Sequence, residues 1–462
     1  MRILPSLREC ADLGSTMYTS VERQETPHKM QNSHRKSDVR KRQVVVVGAG
    51  AAGLMAACAA ADGGASVTIL EKTEKAGKKI YITGKGRCNL TNACDLQEFW
   101  THVVTNPKFL YSAVYGFDAQ QTIRFMEENG CPVKTERGDR VFPVSDHASD
   151  VTKALLEHLN KRNVQIRYHC PVRHILTQET EGARRVTGVK LETGEVVDAD
   201  AVILTAGGKS YPSTGSEGDG YRMAQELGIS VVKPVPSLVP VRTKERWCTD
   251  LQGLALKNVE LTLERPESGS GKKKKKPLYK GFGEMLFTHF GISGPLVLTA
   301  SCYMDFDKNP QGHQLYLNLK PALTQEQLEN RIRREIEASP GKKMAGVIRP
   351  LFPARLAGVI AELSGLGDRT AASFSGKEIT ELASLIRRVP ITAEGTRGFA
   401  EAIVTRGGLD VKAFDPSTMK CRSIDGLYAA GEVLDVDAHT GGFNLQIAWS
   451  TGRLAGESAA RG

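Results

Sequence analysis

The stretch "RQVVVVGAGAAGLMAACAA" (residues 42–60) places Gly48, Gly50 and Gly53 directly behind four valines. An unbroken β-branched run is what a buried parallel strand requires. The Ala-rich "LMAACAAADGGA" (54–65) reads as a helix stopping at Gly63 and Gly64. "SVTILEK" (66–72) then reads as a second strand ending in Glu71, 18 residues after Gly53. A loose G-x-G-x-x-G is common, but one between a strand and a helix, with an acid after the next strand, has a physical purpose. Gly48 makes the tight turn, Gly50 lets a diphosphate approach the main chain, and Gly53 lets helix and strand pack closely. The helix N-terminus offers unpaired N–H groups to the phosphates. Glu71 can accept hydrogen bonds from a ribose, and its charge disfavours a 2′-phosphate, so FAD and NAD both remain.

The C-terminal stretch "SIDGLYAAGEVLDVDAHTGGFNLQIAWSTGRLAGESAA" (423–460) decides between them. It reads as a short strand ending at Gly431 and Glu432, a loop, and a helix whose N-terminus lies near Asn444. A helix start there is suited to face a flavin pyrimidine, where negative charge develops on reduction. Asp435 or Asp437 can bond ribityl or ribose hydroxyls. A chain that returns to its first domain in this way favours a resident flavin over a mobile nicotinamide. Between these ends, "VTGVKLETGEVVDADAVILTAGG" (186–208) predicts a hairpin turning at Thr193 and Gly194, then a strand to Leu204. Thr205, Ala206 and Gly207 follow, small enough for the main chain to pass a flat ligand.

The 462 residues are enough for two or three domains. No apolar run approaches the roughly 20 residues of a membrane span. The formal charge of +10 sits mainly in residues 1–42 and in the run 272–276, leaving a nearly neutral body. That body argues against a nucleic-acid face, and the lysine run, in a Gly/Ser-rich setting, reads as a solvated loop. Residues 1–41 read as a disordered tail. The nine cysteines are scattered without C-x-x-C or zinc spacing, so no metal site is expected and a reducing cytoplasm fits. Cys88 and Cys94 are spaced C-x5-C, one residue off a redox-active flavin-reductase pair, and the near match reads as coincidence.

Five stretches together resemble the BaiN/RdsA-like family of NAD(P)/FAD-dependent oxidoreductases, which includes aminoacetone-oxidase-like flavoproteins. They are "VVVVGAGAAG", "GKKIYITGKGRCNLTN", "ILTAGGKSYPSTGSEGDGY", "GEMLFTHFGISGP" and "GLYAAGEVLDVDAHTGGFNLQIAWSTG". The second and fourth are the distinctive ones, and the resemblance spans about residues 42–460. Lys85 and Ala438 stand where the family usually shows glycine. The resemblance implies an α/β, Rossmann-like (GR2-type) FAD-binding domain, discontinuous over 42–235 and 392–462. It also implies an inserted β-barrel-like domain at 236–323 and a helical subdomain at 324–391.

Cofactor contacts are then expected from Gly48, Gly50, Ala51, Ala52, Gly53, Glu71 and Lys72. A second group is Lys79, Gly84, Arg87, Cys88 and Asn89, where Arg87 can pair with the diphosphate and Asn89 and Asn92 can bond flavin edge atoms. A third is Thr205, Ala206, Gly207, Gly431, Glu432, Asp435, Gly442, Asn444 and Leu445. His289, in the inserted domain, is the expected proton donor, with Tyr81, Tyr211 and His439 as further acid–base candidates. The expected activity is hydride transfer between flavin N5 and a small organic substrate. No second G-x-G-x-x-G appears, so NAD(P)H docks transiently as donor or oxygen serves as acceptor. Two alternatives stay open: a flavoenzyme acting on RNA, and a non-catalytic redox module. Oligomeric state is not legible.

Overall fold

The valines at 44–47 form the core of strand β1 (Gln43–Val47), and all four are buried. The chain leaves β1 through the glycine turn into α1 (Ala51–Asp62), which ends at the Gly63 cap, and returns as β2 (Ser66–Leu70). Later segments complete one five-stranded parallel sheet: β3 (Gln165–Arg167), β4 (Ala201–Leu204) and β5 (Leu427–Ala429), in the order β5-β4-β1-β2-β3. This computed structural model describes residues 40–180, 182–266 and 276–462. Residues 1–39 of the tail expected to be disordered, and most of the lysine run, lie outside the described residues.

Nine of the twelve residues of α1 are buried. A helix buried nearly all round must be covered on more than one side. The sheet covers one face, and the last helix, α2 (Phe443–Arg461), covers another. Gly452 and Gly456 of α2 meet the carbonyls of Ala52 and Ala56 so closely that a Cβ at either glycine would overlap an oxygen. The C-terminal return read from the sequence is thus a helix packed main chain to main chain on the glycine-turn helix.

The insertion is a closed six-stranded antiparallel barrel: Val241–Thr243, Gly291–Ser293, Tyr279–Thr288, Ala255–Leu263, His313–Asn318 and Val389–Thr396, in ring order. Alternate residues such as Met285, Phe287, Leu315, Leu317, Ile391 and Ala393 fill its interior. Between the last two strands run the helices Gln325–Ala338, Met344–Val347, Ala354–Leu363 and Gly376–Arg387. The first and last of these open on capping boxes, Thr324 with Gln327 and Ser375 with Glu378. Barrel and helices share one hydrophobic core. The boundary expected at 391/392 therefore falls inside a barrel strand, because ring closure needs residues 389–396. The antiparallel pair Val231–Ser237 and Val404–Leu409 carries the chain into and out of the insertion.

Candidate flavin and substrate site

A cavity of about 1040 Å³ runs from the glycine turn to the start of α2. At one end its wall is Gly48, Ala49, Gly50, Ala51 and Ala52, with Glu71 at the tip of β2. Gly48 holds φ at +102°, and a Cβ on Gly53 would overlap the Gly48 carbonyl oxygen. A Cβ on Gly50 would meet no protein atom within 4 Å, so this position opens onto the cavity. No side chain caps α1 and its first turn carries no acid, which leaves the helix N-terminus available to an anion. Glu71 accepts hydrogen bonds from Ala49 N at 2.8 Å and from Thr73 N at 2.8 Å and Oγ1 at 2.9 Å. Its two oxygens retain lone pairs for a further donor.

Thr205 donates through Oγ1 to the carbonyls of Val47 and Gly48, tying β4 to the turn, and Ala206 and Gly207 continue the cavity wall. Lys72 is held by Glu217 and Asp219, each at 2.6 Å. Lys79 pairs with Glu432 at 2.9 Å. Glu432 also accepts from Ser210 Oγ at 2.7 Å and Thr405 N at 2.8 Å. Burial pushes the Glu432 carboxyl up, but the Lys79 ammonium and these hydrogen bonds hold it below the usual range. The expected cofactor lysines are therefore already engaged with carboxylates of the wall.

The other end draws on distant segments. Gly84, Lys85, Arg87 and Asn89 come from one loop, Arg140 and Phe142 from the strand Arg140–Pro143, and Gly441, Gly442, Asn444 and Leu445 from the start of α2. Leu238, Pro295, Ile403 and Val404 bring an apolar wall from the insertion and its connecting strands. Arg87 donates through Nε to Asp146 at 2.8 Å, pairs with Glu136, and lies over the Phe142 ring at 4.1 Å. Asn89 Oδ1 is buried with no hydrogen-bond partner. Asn444 spends its side chain on the preceding loop, donating to the carbonyls of Ala438 and His439 and accepting from Ala438 N. Asn92 donates to the carbonyls of Gly138 and Gly441, joining the turn before the strand Arg140–Pro143 to the loop that leads into α2.

Five expected residues lie behind the wall or away from it. Gly53, Cys88, Gly431 and Asp435 do not line the cavity. Cys88 is turned into the core, and burial pushes its thiol up to about 12. Asp435 is tied to Asn106, whose Nδ2 donates to its carbonyl and its carboxylate. His289 is exposed on the two-residue turn between Thr288 and Gly291 and does not line the cavity. Among the further acid–base candidates, Tyr211 lines the cavity and Tyr81 does not.

His439 stands in a chain of ionisable groups that crosses between the two domains. Its Nε2 lies 2.7 Å from the Tyr303 hydroxyl, and its Nδ1 lies 3.1 Å from Nδ1 of His102. His102 stacks on Phe443 at 4.2 Å. Burial, with His102 alongside, pulls the His439 imidazole down to about 4. Nearby Asp437 is 1% exposed, accepts from Ser237 Oγ at 3.0 Å, and leaves Oδ1 without a partner. Burial pushes its carboxyl up to about 6. His102 and Tyr303 carry no sequence signal, since they lie 337 and 136 positions from His439.

These residues fit a flavin dinucleotide: an open cradle at Gly50, an uncapped helix start, a ribose acceptor at Glu71 and an orphaned carbonyl at Asn89. Comparison with known proteins agrees. The chain matches the HI0933-like protein Rossmann domain over residues 42–458. It is 32% identical over 424 residues to the 3-dehydro-bile acid delta(4,6)-reductase of Clostridium scindens, covering 90% of this chain and 99% of that protein. It is 30% identical over 421 residues to the ribosomal RNA dihydrouridine synthase of Haemophilus influenzae, covering 90% and 98%. The Escherichia coli protein of that name is 29% identical over 408 residues, covering 88% and 95%. The chain belongs to the HI0933-like Rossmann family of flavin-dependent oxidoreductases.

Proposed function

We propose that this enzyme binds FAD in the cavity and adds hydride to a carbon–carbon double bond conjugated to a carbonyl, on a small organic molecule, with NAD(P)H docking transiently as donor. The observation that carries the reading is the single cavity lined by 48–52 at one end and 441–445 at the other. The products implied by the relatives' names, a reduced delta(4,6) system and a dihydrouridine, both arise by hydride addition to such a bond.

The turn at 48–52 and the start of α1 hold the diphosphate, Glu71 the ribose hydroxyls, and Asn89 a flavin edge atom. Bound there, the flavin supplies the hydride-transfer chemistry at N5. The start of α2 directs its N–H groups towards the reactive end, where they stabilise negative charge. Leu238, Pro295, Ile403 and Val404 exclude water from that end. The eight described cysteines are free thiols, which supports a reducing compartment.

The test is anaerobic titration of the purified yellow protein. NADH or NADPH should bleach the flavin absorbance, and a 3-oxo-4-ene steroid should restore it. No bleaching by either donor would overturn the reductase reading. The two relatives named for ribosomal RNA favour a second reading, the same addition to uracil in RNA. Restoration of absorbance by unmodified ribosomal RNA, and by no small enone, would establish it.

A further inference from the structure

Seven basic side chains line the cavity, and they differ in one respect. Lys72, Lys78, Lys79 and Arg87 are each paired with at least one carboxylate. Lys75 lies over the Tyr81 ring at 3.4 Å. Lys85 has no hydrogen bond or ion pair with any described residue. Arg140 donates through Nε only to the Arg137 carbonyl and has no carboxylate partner among the described residues.

These two cations belong to one corner. Arg140 and Phe142 are two apart on a strand and so share a face. The Arg140 guanidinium lies 5.9 Å from the Phe142 ring, and a Cβ on Gly84 would lie 3.3 Å from the same ring. Arg87, Lys134, Glu136 and Asp146 cancel one another close by through their mutual ion pairs. Lys85 and Arg140 therefore carry the excess charge. The corner belongs to the reactive end, because Asn92 joins Gly138, in the turn before Arg140, to Gly441 at the start of α2.

The main chain at Lys85 supports the same assignment. Lys85 holds φ 59° and ψ 41°, between two glycines that also have positive φ. A residue with a Cβ in that region is strained, and such strain persists where the surroundings enforce it and gathers at ligand sites. Here it sets at the cavity an exposed lysine that has no carboxylate partner among the described residues.

We infer that Lys85 and Arg140 form a recognition site for an anionic oxygen group, carboxylate or phosphate, on the small molecule that docks at the reactive end. This rests on the hydride-transfer reading above. Two cations in one corner of the cavity can hold one carboxylate or phosphate with charge-assisted hydrogen bonds, and neither has a carboxylate partner among the described residues.

The test uses the flavin-loaded protein and the double variant Lys85→Gly, Arg140→Gln, whose first change also relieves the left-handed position. Binding is measured by calorimetry, which needs no turnover, with 3-oxo-4-cholenic acid, its methyl ester, NADPH and NADH. The double variant should bind the acid at least about tenfold more weakly and the ester unchanged if the anion belongs to the acceptor. It should bind the nicotinamide donors that much more weakly, with the ester again unchanged, if the anion is the donor's phosphate. Equal weakening of acid and ester, or no change in any ligand, would overturn the inference. Flavin content, read from the absorbance ratio, should be the same in both proteins. A wild type that shows the expected discrimination yet transfers no hydride would overturn the catalytic reading and leave the anion site standing.

Discussion

At the Glu71 end of the cavity the wall is mostly main chain: a left-handed glycine, an open Gly50, and the start of α1, all within 24 residues of sequence. At the Gly441 end it is assembled from segments far apart in sequence, residues 82–89, 140–142, 238, 295, 403–404 and 440–448. The first end depends on glycines with room for no Cβ or for a ligand, the second on bringing distant segments together. Substitutions should therefore fail differently at the two ends. Adding a methyl group at the first should be either fatal or harmless to the fold, depending on which glycine receives it. Changes at the second should shift ionisation and binding while the fold survives.

The largest expected effect separates two glycines three residues apart. Gly53→Val would drive side-chain atoms into the Gly48 carbonyl and Thr205, and should cost more than about 4 kcal/mol, leaving protein without a cooperative thermal transition by circular dichroism. Gly50→Ala adds its methyl group to open space at an ordinary φ of −78°. It should melt within a few degrees of wild type and purify without flavin. A Gly50→Ala protein that keeps its full flavin content would remove the claim that this gap receives the diphosphate.

The next effect belongs to Asp437. Its carboxyl moves from an ordinary 3.8 to about 6 on folding, through burial. Between those values the folded protein holds a proton that the unfolded chain has released, so stability falls as pH rises through that window and stays lowered above it. Asp437→Asn keeps an acceptor for Ser237 and removes the ionisation. It should gain about 3 kcal/mol at pH 7 and little at pH 4, read as urea midpoints. An equal gain at both pH values would show that packing, and not ionisation, is responsible.

The smallest effect tests the chain across the domain boundary. Tyr303→Phe removes the hydroxyl 2.7 Å from His439 Nε2. It should cost about 1 kcal/mol in urea unfolding and leave flavin content unchanged. It should also move the His439 imidazole titration measured by NMR, which a purely packing role for Tyr303 would not alter.

Legibility followed the same division. The β1–α1–β2 unit was readable because strand, turn and helix signals are local and each glycine has a steric task. The start of α2 was readable for the same reason. The hairpin "GEMLFTHFGISGP" illustrates where reading stopped: the barrel was expected, but which side of the hairpin faced the cavity depended on register. It is Pro295 that lines the cavity, while His289 sits on the exposed tip. Lys79 and Glu432 were both expected to touch the cofactor, and nothing in the sequence shows that residues 353 apart pair with each other.

The amino-acid order alone determined that a dinucleotide turn lies between a buried strand and an alanine-rich helix, and that the C-terminal stretch returns to that domain. Both follow from short-range sterics, which need no knowledge of distant segments. Only the tertiary structure decided which charges are spent and which are left over, because ion pairing depends on distances between residues far apart in the chain. It is that accounting in space that leaves Lys85 and Arg140 without a carboxylate partner among the described residues and sets His289 on an exposed turn outside the cavity lining.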